Sequence, residues 1–101
     1  MAESIIQNDK EKCFLCGGYA GHDPLDCHHI YGGRGKRELS EKYGLKVYLH
    51  HNSCHIFGAS SVHQNAIVNK DLKAVGQKIA MKYYGWSVED FIAIFGKNYI
   101  L

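Results

Sequence analysis

The sequence has one proline, little net charge and no long apolar run. The proline, Pro24, lies in a predicted turn, and the absence of repeats, low-complexity tracts and linkers indicates one small domain of 101 residues. Twelve basic and ten acidic side chains leave a net charge of +2, which does not by itself indicate a nucleic-acid binder. No apolar run approaches the roughly 20 residues that cross a membrane. Met1–Lys12 lacks the apolar core of a signal peptide, so we expect a cytoplasmic protein with no membrane partner.

Cysteine and histidine are present instead, with four cysteines and seven histidines. Thiols stay reduced inside cells, and two disulfides would leave the histidines unexplained, so the composition favours metal ligation. A structural metal would also stabilise a domain whose small size limits its hydrophobic core. All of these residues except His22 fall into four groups: Cys13-x2-Cys16, Cys27-His28-His29, His50-His51-x2-Cys54-His55 and His63.

The first predicted metal site has the ligand spacing of structural zinc. A Cys-x2-Cys turn presents two thiolates to one ion, and a second pair at similar spacing completes a tetrahedron. The predicted zinc ligands are Cys13, Cys16, His51 and Cys54. His50 competes with His51 for the fourth position if the following helix begins one residue differently. The remaining cysteine, Cys27, is predicted to be a buried apolar thiol.

Secondary-structure patterns predict strands in the first half and helices in the second. The strands are predicted over Leu25–Tyr31 and Val47–Leu49, which are rich in residues that suit a pleated sheet. Apolar residues recur at three- and four-residue steps from Leu72 to Tyr83, which predicts an amphipathic helix. Ser87 and Asp90 then have the spacing of a capping box at the start of a second helix. The predicted class is therefore α+β.

The second predicted site is built around His28 and His29. Neighbouring residues on a strand point to opposite faces, so one imidazole can hold a metal while the other reaches a water molecule. An imidazole with a pKa near about 6.5 can take a proton from that water, and a divalent cation can stabilise charge developing on a phosphodiester. His55 would complete the metal's protein ligands. His63 is a further ligand or a phosphate contact, and the sequence leaves both roles open.

The order of these motifs resembles that of the HNH nucleases, also called His-Me finger or ββα-metal nucleases. The resemblance depends on the Cys-x2-Cys turn, on Leu25–Ile30, on a basic loop, and on a strand that ends in paired ligands followed by His55. A narrower similarity is to small phage-encoded HNH-like proteins described as recombination-associated nucleases. That similarity depends on Ser40–Leu45, Val47–Leu49, Val62-His63 and Ile94–Tyr99.

The resemblance implies a small zinc-braced ββα-metal core, treble-clef-like, followed by two C-terminal helices. It covers residues 13–101 as one nuclease domain, with residues 1–12 as an N-terminal extension. The implied activity is metal-dependent hydrolysis of DNA phosphodiester bonds by a phage or prophage protein linked to recombination. His29 would be the general base, and Mg²⁺ or Mn²⁺ would be bound by His28, His55 and His63. DNA and a recombination protein are the implied partners.

Two departures from the family pattern keep an alternative function open. No asparagine lies between His29 and His51, where the family has one that pins the loop, so Ser40 would have to substitute or the loop be held differently. The segment from Leu49 to His55 is one residue longer than usual. The alternative is a non-catalytic zinc-binding module that binds DNA or a recombination protein.

A basic glycine-rich loop, Gly32–Arg37, lies between the two predicted strands. Its position should place it over the His28/His29 site, where arginine can contact a phosphate through two hydrogen bonds. Such contacts carry little sequence information, so weak sequence selectivity is expected. The predicted DNA-binding residues are Arg34, Lys36 and Arg37.

Overall fold

The chain alternates two short strands with helical elements. The structure, a computed structural model, describes residues 3–56, 58 and 61–100. Two strands form an antiparallel sheet, and helices precede and follow the second strand, so the predicted α+β class is confirmed. The elements in chain order are β1 (Leu25–His29), α1 (Lys36–Tyr43), β2 (Lys46–His50), a π-helical turn (His51–Ile56), α2 (Ala66–Tyr84) and α3 (Val88–Phe95).

The hairpin register decides which side chains share a face. His28 pairs with Val47 and Asp26 pairs with Leu49, and both of those apolar partners are fully buried. His29 pairs with Lys46 on the opposite face. Because side chains alternate along a strand, Asp26 and His28 point to one side of the sheet and His29 to the other. Strand β1 ends at His29 and is therefore two residues shorter than the predicted strand, Leu25–Tyr31.

The loop that follows β1 is held by Ser40 on α1. This side chain is fully buried, and its hydroxyl accepts a hydrogen bond from the Tyr31 N–H (3.1 Å) and donates one to the Tyr31 carbonyl (2.9 Å). Ser40 thus ties the helix to the end of β1. Helix α1 ends at Gly44 with φ of 72°, and a Cβ there would collide with the Glu3 carbonyl oxygen.

The N-terminal residues cover the outer edge of β2. The Ser4 hydroxyl donates to the Lys46 carbonyl (2.6 Å), and the Tyr48 N–H donates to the Gln7 side chain (2.9 Å). These bonds satisfy strand groups that an open edge would leave exposed. The predicted extension over residues 1–12 therefore contacts the sheet through its described part, residues 3–12.

Helix α3 packs an aromatic core against Tyr31, just beyond the end of β1. Tyr31 contacts Phe91 and Phe95 with ring centroids 5.5 and 4.7 Å apart, and these three side chains are almost fully buried. Helix α3 begins with the predicted capping box, in which Ser87 and Asp90 bond reciprocally to each other's backbone. In the described part of the chain, no helix combines the length and the apolar character that a membrane crossing requires.

Candidate metal centres

Three cysteines and one histidine converge where the N-terminal turn meets the end of β2. The ligand atoms of Cys13, Cys16, His50 and Cys54 all lie within 4.8 Å of one another. A tight turn brings the first two together, with the Cys13 N–H donating to the Gly18 carbonyl at 2.8 Å. His50 is the last residue of β2, and Cys54 lies on the π-helical turn. This set could bind a metal such as zinc.

The fourth residue of this group is His50 rather than the predicted His51. The His50 Nδ1 lies 3.2 Å from the Cys16 sulfur, and its Nε2 lies 2.9 Å from the Tyr19 carbonyl. A carbonyl only accepts, so Nε2 carries the proton and the lone pair of Nδ1 points at the cysteines. His51 is turned away and hydrogen-bonds Asp26 at 2.5 Å. The reason is alternation, since β2 continues through His50 and sends its neighbour to the other side.

Electrostatics in this group favour a bound cation. Burial raises the pKa of the Cys13 thiol, but backbone N–H donors of Cys16, His50 and Leu15 outweigh it and bring the pKa to about 7. Burial, and then the neighbouring Cys13, raise the pKa of Cys54. The thiolate form of Cys13 is therefore stabilised, whereas the thiolate form of Cys54 is destabilised. A divalent ion would remove this repulsion, because coordinating thiols are deprotonated by the metal.

Three histidines form a second group on the inner face of the sheet. The ring centroid of His28 lies 5.0 Å from that of His55 and 5.8 Å from that of His63. The Nε2 atoms of His55 and His63 are 3.1 Å apart. The Nε2 of His28 is buried and has no hydrogen-bond partner among the residues that the structure describes. The three predicted metal ligands are therefore brought together, and an unsatisfied imidazole nitrogen is what a bound metal would use.

The charge state of this group suits metal ligation. Burial, then the nearby His55 and His63, lower the pKa of His28 to about 3. Burial and then His55 also lower the pKa of His63. His28 is thus neutral at physiological pH and has a free lone pair, which is the form that binds metals.

Asp26 orients His55 of the second group through a hydrogen bond to its ring. Its Oδ2 atom lies 3.0 Å from the Nδ1 of His55 and also contacts His51. The hydrogen bond from His55 lowers the pKa of Asp26, burial raises it, and His51 lowers it further. The carboxylate is therefore ionised and can only accept hydrogen bonds. The Nε2 of His55 therefore presents its lone pair toward His63. Sequence reasoning gave Asp26 no role, although its position two residues before His28 places both on one strand face.

His29 lies on the opposite face of β1 and pairs with Glu41 of α1. Its Nε2 is 3.0 Å from the Glu41 carboxylate, whose other oxygen is 2.7 Å from the Lys46 ammonium group. Lys46 and then His29 lower the pKa of Glu41, which is therefore ionised at neutral pH. A cleft of about 330 Å³ opens here, lined by His29, Arg37, Glu38 and Glu41. Glu41 is the second residue that sequence reasoning missed.

The predicted DNA-binding residues are not brought to one place. Arg37 lines the His29 cleft, and Arg34 is exposed in the loop before α1. Lys36 points instead toward the end of α3, with its ammonium group 4.0 Å from where a Cβ on Gly96 would lie. Cys27, predicted to be buried, is exposed on the same strand face as His29.

The chain matches no protein-family model, no curated protein and no solved structure. The chemistry of the site therefore has to be inferred from its own geometry. The cysteine group and the three-histidine group meet at one π-helical turn, with Cys54 in the first and His55 in the second. His55 also forms a third candidate group with Asp26 and His51.

Proposed function

We propose that the protein is a metal-dependent endonuclease that hydrolyses DNA phosphodiester bonds on an HNH-like, treble-clef-like core braced by zinc. The observation that carries this proposal is the convergence of His28, His55 and His63, with the Nε2 of His28 buried and unsatisfied among the described residues. A divalent ion held by these imidazoles would stabilise the charge that develops on a phosphodiester, and His29, bound by Glu41 on the opposite face of β1, is the base expected from the sequence. A link to phage recombination remains a prediction from the sequence.

The ligand chemistry of the second group narrows the choice of ion. Imidazole nitrogens suit zinc, nickel, copper and iron, whereas magnesium prefers oxygen ligands and retains its water. The resemblance implies Mg²⁺ or Mn²⁺, but the three ligands of this group are all histidines and include no carboxylate. We therefore expect a borderline transition metal such as Zn²⁺ or Ni²⁺ to bind more tightly. A bound ion would stabilise the negative charge that develops on the phosphodiester in the transition state.

His29 has the geometry of a general base. The Glu41 carboxylate only accepts hydrogen bonds, so it fixes the proton on the Nε2 of His29 and leaves Nδ1 free to take a proton from water. The same carboxylate would stabilise the imidazolium that results. Arg37, which lines the cleft, can hold a phosphate through two hydrogen bonds.

A plasmid-nicking assay tests the proposal. Wild type, His29→Ala and His28→Ala are compared with a panel of Mg²⁺, Mn²⁺, Ni²⁺ and Zn²⁺. Loss of a general base lowers rates by about 10²–10⁴-fold, and we expect His29→Ala to show a loss of that order. His22→Ala is the matched control, because His22 is exposed and belongs to neither ligand group. Equal nicking by wild type and His29→Ala would sink the assignment of the base.

The alternative function is a zinc-binding module that binds DNA without cleaving it. The three-histidine group favours this alternative in one respect, since it contains no carboxylate of the kind that magnesium nucleases use. DNA binding by the wild type with no nicking under any of the four metals would support the module and reject the enzyme.

A further inference from the structure

A cavity of about 620 Å³ lies between α2 and the C-terminal residues, away from both ligand groups. Two residues that line it, Asn98 and Tyr99, are hydrogen-bonded to Gln77, which is fully buried on α2. The Gln77 amide donates to the Asn98 side chain at 2.8 Å and accepts from the Tyr99 N–H at 2.7 Å. These two bonds anchor the segment 97–100 to the helix. The cavity is therefore part of the fold rather than a gap beside a free chain end.

The lining of this cavity is strongly basic. It contains four lysines and one acidic side chain, Asp71, which leaves a net charge of +3. The ammonium groups of Lys73 and Lys97 lie 5.5 and 5.6 Å from the centroid of the Tyr99 ring. Among the described residues neither ammonium group forms an ion pair. The two cations thus converge on one aromatic ring without a counter-charge. The lysines are Lys70, Lys73, Lys78 and Lys97.

The cavity lies close to the segments that carry the three-histidine group. Ala66 lines the cavity and follows His63 by three residues in the chain, and Lys73 lines it from the same helix as Ala66. The Tyr31 hydroxyl also donates to the Lys73 carbonyl at 2.5 Å, which fixes this part of α2 against the end of β1. The cavity is therefore connected to the segment after His63 through Ala66 and to the end of β1 through Tyr31.

We propose that the groove between α2 and residues 97–100 binds the phosphate backbone of one nucleic-acid strand and leads that strand toward the three-histidine group. The proposal rests on the proposed function for the identity of the ligand. A cavity of about 620 Å³ lies in the size range of sites that enclose small ligands, which suits a short length of one strand. A positively charged groove that follows the backbone is how proteins hold single strands without reading their sequence. The ligand is thus an unpaired strand of DNA.

Salt-dependent binding of a fluorescein-labelled DNA oligonucleotide, as a single strand and as a duplex, tests the groove. The variants are Lys73→Gln, Lys97→Gln and the double variant, with Lys82→Gln as the matched control. Lys82 is an exposed lysine on the same helix that does not line the cavity. Each lost contact to a single strand should make the slope of log K against log salt shallower by about 0.7. The double variant should therefore lose about 1.4 in slope and bind on the order of tenfold more weakly at low salt.

The same slope and affinity in the double variant as in wild type would overturn the groove, and so would an equal loss in Lys82→Gln. We expect tighter binding of the single strand than of the duplex, and tighter binding of the duplex would also overturn the proposal. Thermal unfolding of each variant separates lost binding from lost folding, and Lys97→Gln changes only an exposed side chain.

The nicking assay separates failure of the groove from failure of the proposed function. Nicking that depends on His29, with unchanged binding by the double variant, rejects the groove and keeps the enzyme. Weaker binding by the double variant, without nicking by the wild type, keeps the groove and rejects the enzyme.

Discussion

His50 and His51 are neighbours in sequence and have different tasks. His50 joins the cysteines, with its proton held by the Tyr19 carbonyl, while His51 bonds to Asp26 beside the second group. Metal-binding histidines generally donate their second ring N–H in this way, which fixes the tautomer and the ring orientation. The identity of each ligand is thus decided by which way a single side chain faces at the end of β2.

Alanine substitutions at these two positions should have opposite effects on zinc. His50→Ala removes one of four ligands and is expected to lower the zinc content well below one ion per chain and to lower the unfolding temperature. His51→Ala leaves all four atoms of the first group in place and should retain zinc. Elemental analysis of the purified variants, with thermal unfolding, measures both. Zinc retained in His50→Ala and lost in His51→Ala would restore the ligand set predicted from sequence.

Burial of His28 makes stability depend on pH. Its pKa falls to about 3 in the folded protein, mainly through burial, whereas an unfolded imidazole titrates near about 6.5. The unfolded state therefore binds the proton first, and stability falls as pH is lowered from about 6.5 toward about 3. Between pH 6.5 and pH 5 the loss from this residue should approach about 2 kcal/mol.

Urea unfolding of wild type and His28→Leu at several pH values measures this contribution. The difference between the two proteins cancels the titration of the other histidines and of the zinc ligands. We expect the free energy of unfolding of wild type to fall more steeply than that of the variant as the pH is lowered. Parallel profiles would mean that His28 is not held neutral by burial.

At the scale of elements, the loop and helix α1 depend on a buried serine. Ser40 satisfies both backbone groups of Tyr31, whose ring lies at the centre of the aromatic core. The helix carrying Ser40 also carries Glu41, which bonds His29. The same short helix therefore closes the loop, packs the core and orients the proposed base.

Ser40→Ala should destabilise the protein because it leaves the Tyr31 N–H and carbonyl buried without a partner. An unsatisfied buried polar group costs about 1–3 kcal/mol. Ser61→Ala is a matched control, since Ser61 is also fully buried but its hydroxyl has no hydrogen-bond partner among the described residues. Urea unfolding should show a clear loss for Ser40→Ala and little change for Ser61→Ala. Equal effects in both variants would mean that burial alone, and not the bridge to Tyr31, accounts for the cost.

At the scale of the whole molecule, the two ligand groups are coupled through one turn. The π-helical turn gives Cys54 to the first group and His55 to the second, so a shift of this turn would move one ligand of each group. A domain of 101 residues has a limited core, and a structural zinc site contributes about 10–16 kcal/mol in small zinc domains. Zinc loss should therefore affect both the fold and the three-histidine group.

Cys13→Ser tests this coupling. We expect loss of zinc, loss of cooperative unfolding, and weaker binding of Ni²⁺ to the three histidines, measured by calorimetric titration. Cys27→Ser is the control, because Cys27 is an exposed thiol that belongs to neither group. A Cys13→Ser protein that is zinc-free but folds and binds Ni²⁺ like wild type would show that the first group does not support the second.

Local sequence patterns were sufficient to predict the elements that depend on local physics. Both strands follow from residues that suit a pleated sheet, α2 follows from periodicity, and α3 follows from the spacing of the capping box at Ser87. The grouping of Cys13 with Cys16 and Cys54, and of His28 with His55 and His63, also followed from spacing and resemblance. Spacing predicts the ligands within each short segment, and the resemblance supplied the grouping between distant segments.

Only the tertiary structure could decide features that depend on distant partners. Each of the features that sequence reasoning missed joins residues that are far apart in sequence. They are the place of His50 among the cysteines, the bonds from Asp26 to His55 and from Glu41 to His29, and the lysine groove. Cys27 is exposed for the same reason, because strand alternation says which face a side chain takes but not what covers that face. The sequence alone determined which metal-ligating and charged side chains the protein has and how they are spaced. Packing decided which atom of each residue faces which partner.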